Sequence, residues 1–197
     1  MSKFIDFLEE QIGEIERGWI KDPSGKQLPF QIVKFSEGPL EETSAYCSLG
    51  LSNELLGEAL EGEHVRQELV FASYNQFEEE AIPFILQNVV QMAIRSNTPF
   101  RRGDVIGPYG PMFGDSLMEA FYVTTPVYFP SQFRAYEINE EVIIELKWLI
   151  PITAKEADFI QQSGWGKFED LLEEHEPDLI DAGRPCLIEL YFESEHS

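Results

Sequence analysis

The chain has 197 residues, 43% of them hydrophobic and 13% aromatic, which is enough apolar material for a real core and too much for a disordered protein. With 36 acidic against 14 basic residues, the formal net charge is −22 and the sequence pI is near 4.3. Polyanionic nucleic acid and anionic membranes are therefore excluded as default partners, because their binding rests on Lys and Arg displacing counterions, and a basic protein is the better match.

Phe4, Leu8, Ile12 and Ile15 recur at helical spacing between acids, so residues 3–17 are predicted as an amphipathic helix stopped by "KDPSGKQLP". Three strand candidates follow: "FQIVKFSE", "TSAYCSLGL" and "HVRQELVFASY". In the third, Val65, Gln67, Leu69 and Phe71 share one face, while His64, Arg66, Glu68 and Val70 share the other. Residues 77–95 show the longest helical pattern, with Glu78, Glu79 and Glu80 expected in its first turn and Pro83 tolerable only near that start. Ile82, Ile85, Val89 and Met92 form one stripe and Leu86, Val90 and Ala93 another beside it, so this helix is expected at the centre of the core.

After a loop-like stretch, "LMEAFYVTTPVYF", "FRAYEI" and "EVIIELKWLI" return to strand patterning. In the last of these, Val142, Ile144, Leu146, Trp148 and Ile150 alternate against Glu145 and Lys147. Thr153 and Glu156 stand at the two positions of a capping box, so a helix is predicted from Ala154 to Gly164, whose glycine suits a left-handed end. "KFEDLLEEHE" is predicted as a second short helix, broken at Pro177.

Motifs that carry chemistry are scarce. His64, His175 and His196 lack the spacing of a local metal site, and there is no nucleophile elbow, H-E-x-x-H or Walker sequence, so no catalytic residue, metal ligand or cofactor is assigned. Cys47 and Cys186 are too few for a disulfide framework and read as buried core thiols. No secretory leader and no apolar run of about 18 residues is visible, which points to a cytoplasmic protein with no membrane span.

Two surfaces remain as candidates. Loop 99–116, "PFRRGDVIGPYGPMFGDS", sets Arg101, Arg102 and Tyr109 among four glycines, and could either bind an anion or serve as an ordinary surface loop whose arginines pair with nearby acids. The acidic segments "EDLLEEHEPD" and "ELYFESEHS" could be a solvated face or a docking surface. In that region Trp165, Phe168, Tyr191 and Phe192 would be anchors if exposed and core residues if not, with Glu169, Glu173, Glu174 and Glu176 as the accompanying charges.

In order along the chain, "YCSLGLS" (46–52), "RQELVF" (66–71), "RRGDVIG" (101–107), "WLIPITAKEADFI" (148–160) and "DAGRP" (181–185) resemble the suppressor of fused domain. The resemblance spans roughly residues 30–190 of what is expected to be a single domain, 1–197. It implies an α+β fold with a mixed β-sheet flanked by helices, and no established enzymatic activity. The length resembles the bacterial members and not the animal Hedgehog-pathway regulator, which carries a further C-terminal region and acts by binding a transcription factor. Bacterial relatives occur beside polymorphic toxins and are read as immunity proteins or antitoxins. The resemblance and the charge together give the expectation of a non-enzymatic protein-binding domain, an antitoxin or immunity protein that occludes a basic toxin. The alternatives are a small-molecule or anion-binding domain, with enzymatic activity open, using Arg101, Arg102 and Tyr109, and an acidic inhibitor that mimics DNA.

Overall fold

The computed structural model describes residues 3–57, 66–77, 80–114 and 116–190. In chain order the elements are α1 (Lys3–Ile12), β1 (Ile15–Lys21), β2 (Gln27–Phe35), β3 (Thr43–Leu49), β4 (Arg66–Tyr74), α2 (Ile82–Ser96), β5 (Val105–Ile106), β6 (Met118–Thr124), β7 (Ala135–Asn139), β8 (Val142–Thr153), α3 (Ala154–Ser163) and α4 (Trp165–His175). The eight strands form a mixed sheet in the order β1-β2-β3-β4-β8-β6-β5, with β7 also on β8. This is the α+β architecture that the sequence leads one to expect.

The chain divides into two compact units, Met1–Arg101 with Thr125–Trp148, and Arg102–Thr124 with Leu149–Ser197. Strand β8 contributes residues to both.

In the first unit β1 to β4 run antiparallel in sequence order. Then β4 pairs parallel with the first half of β8, Val70 lying opposite Trp148. A strand between two neighbours and covered on both faces reads as continuous burial, and β3 is buried at all seven positions. Both faces of β4 are likewise covered, so Gln67 and Glu68 are buried together with Leu69, Val70 and Phe71. The two-faced division expected for β4 therefore orients the side chains but does not separate core from solvent.

Helix α2 packs on β2 and β3, burying Ile82, Leu86, Val89, Val90 and Ala93. Its buried Gln87 donates to the carbonyls of Trp19 (3.3 Å) and Lys21 (3.0 Å). Helix α1 lies against β7, where the rings of Phe4 and Phe7 sit 5.2 and 5.1 Å from that of Tyr136.

Three predicted boundaries are corrected. The first helix ends at Ile12, not 17, because Gly13 takes φ +86° and Ile15 opens β1. "KDPSGKQLP" accordingly spans the end of β1, the 22–26 turn and the start of β2, and in the turn Asp22 Oδ1 accepts from Ser24 N–H, Ser24 Oγ and Lys26 N–H. Helix α2 begins at Ile82, with Pro83 in its first turn as expected but with no acid there. Glu80 precedes the helix in a turn, and Glu78 and Glu79 lie outside the described residues.

In the second unit β6 pairs antiparallel with β5, and the five residues that β8 contributes to it, 149–153, are all buried. The Thr153–Glu156 capping box is present with both reciprocal bonds. Gly164 separates α3 from α4 at φ +89° and ψ +149°, a positive φ that suits glycine but not the left-handed helical turn expected. Glu176, at φ +43° and ψ +49°, takes the left-handed position at the end of α4.

Candidate functional site

Helix α4 presents two kinds of acid. At positions 165, 168 and 169, on one face of a 3.6-residue period, it packs into its own unit. Phe168 is fully buried and meets the ring of Tyr122 edge-on at 5.3 Å, so of the two roles open to it the core one holds. Glu169 receives Arg102 bidentately, Nε at 2.9 Å and the second guanidinium nitrogen at 2.6 Å, and accepts the Tyr122 hydroxyl at 2.8 Å. Trp165 leans on the same cluster: the Arg102 guanidinium stands over its ring, 5.4 Å from the centroid. A Cβ on Gly103, whose φ is +98°, would come within 2.6 Å of that ring.

The electrostatics follow from this geometry. Burial first, and the Glu169 carboxylate second, push the Tyr122 hydroxyl far above the usual phenol range, so it remains a donor. The bond to Glu169 raises Arg102 further. Glu169 is thus committed internally. The side chains of Glu173, Glu174 and Glu176 are exposed, as is Asp170, and Trp165, at the start of the helix, keeps 44% of its surface open. Tyr191 and Phe192 lie outside the described residues.

Of the loop residues, Arg101 is exposed, Tyr109 is 70% exposed, and Arg102 is the arginine held by Glu169. A guanidinium already paired in bidentate fashion has given its best geometry for an anion to a carboxylate of its own chain.

Two buried carboxylates were not singled out by sequence reasoning as centres. Glu68 accepts four bonds: Ser48 Oγ (2.5 Å) on one oxygen, and Gly50 N–H (2.8 Å), Ser52 N–H (3.0 Å) and Ser52 Oγ (2.7 Å) on the other. It pins the turn that follows β3. Burial pushes its carboxyl above the usual range, against the pull of those donors, and burial, aided by Glu68, pushes the Cys47 thiol well up. Glu156 accepts Arg184 on both oxygens (2.6 and 2.9 Å) together with the N–H groups of Thr153 and Leu187, each at 2.9 Å. Thr153 Oγ1 also donates to Cys186 Sγ at 3.2 Å. Both cysteines are free and buried.

Four of the five quoted motifs therefore meet in pairs, "YCSLGLS" with "RQELVF" around Glu68, and "WLIPITAKEADFI" with "DAGRP" around Glu156. The alternation Ser48, Gly50, Ser52 and the spacing of Arg66 and Glu68 are the signals that could have marked the first centre. Among the described residues, no group of three or more His, Cys, Asp or Glu could hold a metal ion, and His64 and His196 lie outside them. No helix among them is long and apolar enough to cross a membrane.

Taken together, these features define an α+β domain on a mixed sheet, with its buried acids committed to a turn, a helix cap and an ion pair. The chain belongs to the suppressor of fused protein (SUFU) family, whose model matches residues 26–185. Its fold is similar to that of a SUFU homologue from Neisseria gonorrhoeae FA 1090, with a TM-score of 0.71 and 21% identity over 93% of this chain and 92% of that one. A chain from a Sufu–Fu complex superposes with a TM-score of 0.68 and 17% identity, over 97% of this chain and 93% of that one. Drosophila Suppressor of Fused superposes at 0.71 with 16% identity, over 98% of this chain but 52% of its own. Curated protein sequences give no match.

Proposed function

We propose that the protein is a non-enzymatic binding domain of the antitoxin or immunity type, which covers a basic surface on a protein partner and so blocks it. The observation that carries this reading is the outward side of α4 and its C-terminal end, where Glu173, Glu174 and Glu176 are exposed. Exposed acids gathered along one helix suit a basic counterpart, and the partly open Trp165, with Arg102 over its ring, offers an aromatic contact at the other end of α4. A net charge of −22 would speed and orient the approach of a basic partner. Family membership supports protein binding in general, since a relative is known in complex with Fu.

The test is recovery of partners on the tagged full chain, washed at low and then at high salt. A basic protein held near stoichiometry at low salt and released at high salt supports the reading. Recovery only of acidic or neutral proteins, with no salt dependence, overturns the electrostatic part of it.

A further inference from the structure

The first unit contains a cavity of about 470 Å³, within the range of small-ligand sites. Its lining has an apolar part, Phe4 and Ile5 of α1, Tyr136 and Ile138 of β7, and Ile144 of β8, and a polar part centred on the Glu68-pinned turn and Arg66. The lining carries one acid, Glu68, and two cations, Lys3 and Arg66, in a chain with 36 acids and 14 bases.

Glu68 does not set the polarity of this cavity toward cations. Its side chain is fully buried and its two oxygens already accept four bonds. A cationic ligand would have to displace them. Arg66 stands differently. Its guanidinium donates once, to the carbonyl of Ser52 at 2.5 Å, and among the described residues no carboxylate lies within ion-pair reach of it. Lys34, Arg102, Lys147, Lys155 and Arg184 all have such a carboxylate. A guanidinium has five N–H donors in a fixed fork, of which the described residues engage only the one bonded to Ser52. Its bond to Ser52 joins it to the turn that Glu68 holds, which fixes the donor before any ligand arrives.

We propose that this cavity binds a carboxylate with an apolar body, the carboxylate on Arg66 and the hydrocarbon or aromatic portion against Phe4, Ile5, Tyr136 and Ile138. Arg66 supplies the bidentate geometry that carboxylates favour, and exposed Lys3 adds charge of the same sign. Such a group comes either from a free acid or from the last residue of a peptide.

The test is a titration of the full chain, followed by backbone amide NMR, with octanoate, 4-phenylbutanoate, an acetylated tripeptide ending in leucine, and the carboxamide of each. The expected result is saturable shifts at Gly50, Ser52, Asn53 and Arg66 with at least one carboxylate, and binding at least about tenfold weaker for its carboxamide. Arg66→Gln should weaken the carboxylate by a similar factor, and Arg66→Lys by less. Tighter binding of the tripeptide assigns the site to a peptide end, and tighter binding of a free acid assigns it to a small molecule. Equal binding of acid and carboxamide, or no shift at those four amides with any carboxylate into the millimolar range, overturns the proposal. Both of these comparisons are made on the wild type, so they hold even if an Arg66 variant does not fold.

Discussion

Arg184 and Glu156 form a bidentate ion pair at 2.6 and 2.9 Å with neither side chain open to solvent. Glu156 simultaneously closes the capping box of α3 and accepts the N–H of Leu187, so one carboxylate ties the start of α3 to the chain at 184–187. Removing one partner leaves the other charge buried and unpaired, which costs about 3–5 kcal/mol. Arg184→Met and Glu156→Gln should each lose stability on that order, and the double variant should lose less than the two together because both single changes break the same pair. Denaturant unfolding of the three variants checks this. Losses that simply add would show that the two side chains act independently.

Glu68 gives a pH dependence whose sign follows from burial. The folded chain holds this carboxyl's proton above the ordinary value of 4.5, so the folded state binds it more tightly than the unfolded chain does. The resulting contribution to stability is fully present below the ordinary value and is lost as pH rises through the folded one. Glu68→Gln cannot titrate. The stability of the wild type relative to this variant should therefore fall as pH rises above 4.5, measured by denaturant unfolding across a pH series. A difference that stays constant over that range would show that the carboxyl titrates as it does in the unfolded chain.

The parts of the fold legible in the sequence were those settled by neighbours close in the chain. The Thr153–Glu156 cap needs only a spacing of three, and the alternation of Ile144, Leu146 and Trp148 along β8 needs only a spacing of two, so both are visible locally and both are present in the fold. Arg184 lies 28 residues beyond Glu156, and Ser48 lies 20 before Glu68, and no local period reports such pairings. The first helix is shorter than its periodicity predicts, because Ile12 and Ile15 fit a helical stripe as well as a helix end followed by a strand. What separates the two is Gly13 at φ +86°, a conformation that glycine permits without announcing. At the candidate surface the acids are visible in the sequence, but which of them turn inward is not. Phe168 and Glu169 turn inward because Tyr122 and Arg102, far off in the chain, receive them.

Gly103 should resist any side chain. Its φ of +98° disfavours an L residue, and an added Cβ would stand 2.6 Å from the Trp165 ring. Gly103→Ala is expected to cost about 1–3 kcal/mol through strain and overpacking together. In a Trp165→Ala background the clash is gone and only the backbone cost of about 1 kcal/mol should remain. Thermal unfolding of the two pairs measures the difference. Equal costs in both backgrounds would mean that the indole moves aside freely and that its stacking with Arg102 is not held in place by the glycine.

If the outward side of α4 docks a basic partner, its charges should act mainly on the rate of encounter, because exposed charges at an interface steer approach more than they hold the complex. Charge reversal at Glu173, Glu174 and Glu176 together should slow association by about tenfold at low salt and leave dissociation nearly unchanged. The gap should close as salt approaches about 1 M, where the screening length falls to about 3 Å. Trp165→Ala should do the opposite, speeding dissociation with little effect on association, as loss of a packed anchor does. Surface plasmon resonance against the recovered partner separates the two rates. Glu169→Gln provides the contrast: its carboxylate is already spent on Arg102 and Tyr122, so it should lower the stability of the fold and change the association rate far less than the outward acids do. An association rate indifferent to the triple reversal at low salt would remove α4 from the docking surface.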